Sequence, residues 1–222
     1  MPDISKINNV AVADISKLDS ITFANGQKVN NQSVSLITDS HTLIATATAS
    51  SSATLAFTSG IDSTYDAYEF RFENMHPASE YATQNVFQFQ VNATDGADYN
   101  DSPITSTTFT AYHNEIDTGT SLAYDTETDQ AQGTAYQTIA RYTGNNNDQS
   151  CSGILTLYAP SSTTYVKHFT AMVSNITFDD YARSNFTAGY INDTTAIDNI
   201  SFKFDGGNID AGQIKMYGIA KA

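Results

Sequence analysis

The chain is poor in the residues that usually announce a fold staple or a reaction. Its single cysteine, Cys151, excludes an intramolecular disulfide framework and a multi-cysteine zinc site, and is expected to serve as a small buried hydrophobe. Only four prolines are present, and no stretch approaches the ~18 consecutive apolar residues of a membrane helix, so membrane insertion is not expected. The first residues lack the apolar run of a signal peptide, which predicts a soluble, unprocessed chain. Basic residues are scarce: Lys+Arg 10 stand against Asp+Glu 24, a net charge of −14. A chain this acidic repels phosphate backbones, which excludes a nucleic-acid partner and favours solubility.

Catalytic signatures are missing as well. His41, His76, His113 and His168 are scattered, and none belongs to an HExxH motif or a Cys/His spacing. His113, in His113-Asn114-Glu115, has a carboxylate two residues away but no partner motif. There is no G-x-S-x-G elbow, no P-loop and no dinucleotide fingerprint, so no enzyme activity and no cofactor are expected. The abundant carboxylates leave one route open, since glycoside hydrolysis needs only two at the right separation. Asp95, Asp98, Asn100 and Asp101, and separately Asp179-Asp180, offer hard oxygen ligands for calcium, but the first stretch lacks the EF-hand pattern and reads first as a plain Asx-rich turn. Triplets such as Asn92-Ala93-Thr94 and Asn199-Ile200-Ser201 are what an Asn/Thr-rich chain produces by composition.

What the sequence does contain, from about residue 34 onward, is alternation. YEFRF (Tyr68, Phe70, Phe72), FQFQV (Phe87, Phe89, Val91), ILTLY (Leu155, Leu157) and SFKFD (Phe202, Phe204) place apolar residues on one face and polar ones on the other. TLIATATA, SATLAFT, STTFTAYH, AYQTIARYT, YVKHFTAMV, TAGYIN and QIKMYGI are further strand candidates, separated by turn-rich TDGADYNDSP, TGNNNDQS and DGGNIDAG. About ten strands without intervening helices predict an all-β fold, an antiparallel β-sandwich of jelly-roll-like topology over residues 34–222.

Residues 1–33 read differently. ISKINNVAVAD (4–14) is followed by ISKLDSITFAN (15–25), a tandem repeat with Ile-Ser-Lys recurring outright, and Lys28-Val29-Asn30-Asn31 keeps the register of a third copy. Through residue 32, Lys6, Lys17 and Lys28 balance Asp3, Asp14 and Asp19, so the arm is neutral and the remaining residues carry the whole net charge. Ile4, Ile7, Ala11, Ile15 and Leu18 fit the spacing of a right-handed coiled coil. Asn8-Asn9, Asp19-Ser20 and Asn25-Gly26, with alternating Val10/Val12 and Ile21/Phe23, favour short strand-turn-strand units instead. In either conformation so short a segment cannot bury its apolar stripe alone. Fully extended it spans roughly 100 Å, enough to reach a neighbouring subunit. Ile4, Ile7, Ile15 and Leu18 are therefore the candidate apolar anchors, and Lys6, Lys17 and Lys28 the candidate ion-pairing residues.

ISKINNVAVADISKLDS resembles the tandem ISK-[IV]-N-G-V-A units of tailed-bacteriophage virion proteins. AIDNISFKFDGGNIDAGQIKMYGIAKA resembles the closing strands of phage structural and receptor-binding domains, and FTSGIDSTYDAYEFRFENMHP and DQAQGTAYQTIARYTGNNND are similar to blocks in structural proteins of marine podophages. Where the familiar unit has Asn-Gly, this arm has Asn8-Asn9 and Asp19-Ser20. The resemblance implies a non-enzymatic β-sandwich made in the host cytoplasm and carried on the virion exterior. It would be a homotrimeric capsid decoration, cement or head-fibre protein, anchored to major capsid or tail proteins through its N-terminal arm. The alternative it implies is a tail fibre or receptor-binding module recognising host-surface glycan, for which the thirteen tyrosines would supply stacking faces. A glycan depolymerase is a third reading, but such enzymes usually need a longer repetitive β-solenoid.

Overall fold

The computed structural model describes residues 6–7, 10–11, 28–29, 32–33, 40–79, 85–93 and 98–219. The chain divides into two units, Met1–Asp39 and Ser40–Ala222. In the first unit, β1 (Lys6–Ile7) pairs antiparallel with β2 (Val10–Ala11), and β3 (Lys28–Val29) pairs with β4 (Gln32–Ser33). The two hairpins have the same register: Ile7 faces Val10 and Val29 faces Gln32, with two intervening asparagines in each sequence. The first and third copies of the repeat thus form equivalent antiparallel strand pairings, and the described arm residues contain no helix.

The second unit begins with β5 (His41–Thr48), β6 (Leu55–Phe57), β7 (Ala67–Pro77) and β8 (Phe87–Ala93). Then follow β9 (Ile104–Asn114), β10 (Thr120–Tyr124), β11 (Ala131–Gly133) and β12 (Gln137–Ala140). The last five are β13 (Cys151–Tyr158), β14 (Lys167–Ile176), β15 (Tyr181–Ile191), β16 (Ile197–Phe204) and β17 (Ile209–Ile219). All pairings among these strands are antiparallel. A nine-stranded sheet runs β10-β9-β15-β14-β13-β7-β17-β5, with β11 also on β9, against a four-stranded sheet β12-β8-β16-β6.

Removing β9 to β11 and β14 to β15 leaves eight strands, ordered β5-β17-β7-β13 and β12-β8-β16-β6, in which every successive connection except β8 to β12 crosses between sheets. That order is the eight-stranded jelly roll. The five remaining strands come from two excursions, one between β8 and β12 and one between β13 and β16, and both add to the same edge of the same sheet. β10 and β11 are additions to the strands read from the sequence. Their segments, TSLAY and AQG, are short and mostly exposed, so neither shows a clean alternation.

The core lies between the two four-stranded halves and is built from phenylalanine. Phe70 and Phe72 of β7, Phe87 and Phe89 of β8, Phe202 and Phe204 of β16 and Phe57 of β6 are all buried, and they point inward because their strands alternate. Phe202 is the hub: its ring centroid lies 5.3 Å from Phe72, 5.5 Å from Phe70, 6.1 Å from Phe87, 6.3 Å from Phe89 and 6.5 Å from Phe57. Such edge and offset ring contacts add about 0.5–1.5 kcal/mol each to simple area burial. Cys151 is a free, fully enclosed thiol whose pKa is pushed up to about 12 by burial, and it packs as a hydrophobe. The fold is closed at β17 by a bulge opposite β7, where Gly212 has φ +108° and a Cβ would come within 2.5 Å of the Asn74 carbonyl oxygen. Phe202→Ala removes the ring shared by both sheets, and urea denaturation should show a loss of about 3–5 kcal/mol with unchanged β content in the folded baseline.

Candidate functional site

The excursion strands meet two environments, because a covering sheet of four strands cannot reach across nine. On the outer face, cross-strand partners line up as Tyr124–Phe109–Phe186–Met172–Ile154 across β10, β9, β15, β14 and β13. Directly paired residues project from the same side of an antiparallel sheet, so this is one continuous apolar row. Phe109 and Phe186 stack at 4.9 Å with an interplanar angle of 5°. Met172 is 54% exposed and Leu122, one row away opposite Ala111, is 72% exposed. A shallow groove of about 360 Å³ follows the row, bounded by Thr107, Thr156, Thr170 and Ala188.

Among the described residues, no Asp, Glu, Lys or Arg of these five strands occupies this face. Taking alternate positions from the register, β9 contributes Thr105, Thr107, Phe109, Ala111 and His113, and β15 contributes Ala182, Ser184, Phe186, Ala188 and Tyr190. On β14 the same positions are His168, Thr170, Met172, Ser174 and Ile176; on β13 they are Ser152, Ile154, Thr156 and Tyr158; on β10 they are Thr120, Leu122 and Tyr124. The adjoining half of the sheet is the opposite. There Lys215 Nζ lies 2.8 Å from Glu73 Oε1, Arg71 Nε lies 2.6 Å from Glu69 Oε1, and the Arg71 guanidinium covers the Tyr217 ring at 4.7 Å.

The inner face of the same excursion is apolar along β14, where Phe169, Ala171 and Val173 join the core, and turns polar toward β15 and β9. Asn185 Nδ2 donates to Asn175 Oδ1 at 2.9 Å, Asn175 Nδ2 donates to the Arg141 carbonyl at 2.9 Å, and Ser106 Oγ donates to Gln137 Oε1 at 2.7 Å. Thr108 and Thr187 hydroxyls join at 3.2 Å. At the centre, Asp125 bridges two arginines: Arg141 Nη1 donates to Oδ1 at 2.8 Å and Arg183 Nη2 to Oδ2 at 2.9 Å, with all three residues buried. Arg141 Nη2 also donates to Glu127 and to the Tyr142 hydroxyl. Burial works against the charge of both arginines. For Arg183 it prevails and lowers the pKa, whereas for Arg141 the Glu127 hydrogen bond and the Asp125 field outweigh it and raise the pKa.

Past the end of β12 this inner face is uncovered, and a cleft of about 500 Å³ opens over Thr110, Tyr112, Arg183, Arg141, Tyr142 and Phe178. Tyr142 holds φ 61°, a left-handed conformation costly for an aromatic residue. That conformation places its ring 4.5 Å from the Arg141 guanidinium and 5.2 Å from that of Arg183, inside cation–π range. Tyr112 meets Tyr181 edge-on at 5.5 Å, and Phe178 meets Tyr142 at 6.1 Å.

No protein-family model, curated protein or solved structure is similar to this chain.

The anchors read from the sequence fall in the first unit. Ile4, Ile15, Lys17 and Leu18 lie outside the described residues; Lys6, Ile7 and Lys28 lie in the hairpin strands, with Lys6 opposite Ala11 and Lys28 opposite Ser33. Asp95 of the proposed calcium loop is also outside them. Asp179 accepts from the Thr177 hydroxyl at 2.6 Å and Asp180 from Gln149 at 3.1 Å, which makes that pair part of a turn. Among the described residues no group of three or more His, Cys, Asp or Glu is placed to hold a metal. His41, His76 and His113 each approach a different carboxylate, Glu69, Asp210 and Asp117.

Neither the charge-free face nor the Asp125 cluster was read from the sequence. The first had a legible signal, since STTFTAYH and HFTAMVSNI carry no Asp, Glu, Lys or Arg in a chain of net charge −14. The second had none, because Asp125, Arg141 and Arg183 are brought together from separate elements. Asp125→Ala leaves the buried Arg183 guanidinium without a carboxylate and Arg141 with Glu127 alone, and chemical denaturation should show a loss of about 3–5 kcal/mol, larger than for any surface carboxylate.

Proposed function

We propose that this chain is a non-enzymatic structural subunit of a virion, a homotrimer whose copies associate through the charge-free sheet face and whose N-terminal arm holds it to capsid or tail proteins. The observation that carries the reading is the face itself. Surface repulsion between copies of a −14 chain opposes self-association. Carboxylates reach only the edge of the face, where Asp129 accepts from the Tyr124 hydroxyl and Asp117 stands beside His113; over the rest of the row two such copies can meet without that cost, and charge-depleted, aromatic-rich patches are the compositional mark of interface cores.

Its size is adequate. Five strands at about 4.8 Å, by nine residues on average at about 3.4 Å, give roughly 730 Å², close to the about 800 Å² that each partner contributes to a stable interface. The virion setting and the trimeric order rest on the resemblance of ISKINNVAVADISKLDS and the closing segment to tailed-phage virion proteins.

Light scattering at micromolar concentration should give three copies per particle. Phe186→Asp puts a carboxylate into the row and should weaken association by more than about tenfold while circular dichroism stays unchanged; a wild-type monomer would defeat the self-association reading. Deletion of residues 1–32 should separately lower occupancy on virions, and wild-type occupancy of the truncated chain would remove the anchoring role from the arm.

A further inference from the structure

The inner face of the excursion offers a second site. Tyr112 and Arg183 project from the side of β9 and β15 opposite to Phe109 and Phe186, so a copy docked on the apolar row meets the cleft only at Tyr124, which borders both. We infer that the cleft bounded by Arg183, Tyr142, Tyr112, Phe178, Glu127 and Asp179 is a binding site for a neutral saccharide.

Four observations carry this. First, the cleft lies in the volume range of small-ligand sites and is built from three separate turns and strand ends, a placement typical of binding sites on rigid scaffolds. Second, Arg183 is 8% exposed, and its hydrogen bonds use Nε, to Asn185, and Nη2, to Thr110 and Asp125. Among the described residues its Nη1 has no partner, which leaves a fixed donor on the cleft floor. Third, carboxylate acceptors are fixed beside that donor: Asp125 is held by both arginines, and Glu127, hydrogen-bonded to Arg141, stands at the rim with its side chain 63% exposed. A sugar hydroxyl donates and accepts at once, so vicinal hydroxyls match interleaved guanidinium donors and carboxylate acceptors. Fourth, Phe178 is 39% exposed at the cleft, edge-on to Tyr142 at 6.1 Å, while the Tyr142 ring is taken up by the guanidiniums of Arg141 and Arg183 and holds them in place. Aromatic faces of this kind pack against the C–H face of a pyranose.

The charge balance selects the class. Arg141 and Arg183 against Asp125, Glu127 and Asp179 sum to −1, on a chain of −14, so an anionic ligand gains no net attraction. A cation would face two guanidiniums, and an apolar ligand would strip water from five charged groups without replacing their hydrogen bonds. A neutral polyol incurs none of these costs.

The test is saturation-transfer NMR on the full chain. The probes are the methyl glycosides of glucose, mannose, galactose and N-acetylglucosamine and a dextran oligosaccharide, with an alginate oligosaccharide and inorganic phosphate as anionic contrasts. At least one neutral probe should receive saturation at millimolar concentration. Phe178→Ala and Glu127→Gln, both at exposed positions, should each weaken it about tenfold, the loss expected for a stacking face or a charged hydrogen bond. Phe186→Asp, on the opposite face, should leave binding unchanged even where it dissociates the assembly, which separates failure of this site from failure of the subunit reading. Silence from every neutral probe, stronger binding of alginate or phosphate, or neutral binding indifferent to both cleft variants would overturn the assignment.

Discussion

An antiparallel sheet with an apolar face needs a second layer over it, and in this fold the second layer is too small. Four strands cover the jelly-roll half of the large sheet, where Phe202 joins both layers, and the cover still reaches β14, where Phe169 meets Phe89, before it gives out toward the far ends of β15, β9 and β10. Both faces of those strands must then be stabilised by something other than a hydrophobic sandwich. Leaving the inner face apolar would expose a large patch, and leaving it polar but unpaired would cost about 1–3 kcal/mol for each buried group.

The chain fills the inner face with a connected polar network. Asn175 pairs with Asn185, Thr108 with Thr187 and Ser106 with Gln137, and Asp125 ties Arg141 at the end of the small sheet to Arg183 on β15 of the large one. The network is a substitute for a core: directional where the phenylalanine cluster is not, and dependent on each partner. It fixes the turn after β10 and the segment after β12 against the sheet, and the cleft is the gap between them. The left-handed backbone of Tyr142 belongs to the same arrangement, held by hydrogen bonds from Phe178 to its carbonyl oxygen and from Thr143 to Asn85.

The outer face follows a different electrostatic rule. The sheet half over the jelly roll carries paired charges, Glu69 with Arg71 and Glu73 with Lys215, as an ordinary solvated surface does. The excursion half carries Thr, Ser, Ala and the aromatic row. A chain of −14 has many carboxylates to distribute, and their exclusion from the outer side of five adjacent strands concentrates charge elsewhere. Charge depletion and polar filling thus act on opposite sides of the same strands.

The strands of the jelly roll were legible from residue order alone, because YEFRF, FQFQV and SFKFD alternate with period two and the pleat turns that period into an inside and an outside. The arm hairpins were legible too, from the repeated Asn pairs flanked by Lys-Ile and Lys-Val. The short edge strands β10 and β11 were not, since an edge exposed on both faces has no pattern to leave. Nor was the site: Asp125, Arg141 and Arg183 lie on a turn, a strand end and a strand interior, and Phe109, Phe186 and Met172 become one row only through register. Local periodicity is written residue by residue and can be read from sequence, whereas register and sheet order are set by contacts between distant segments, and the face and the cleft exist only at that level.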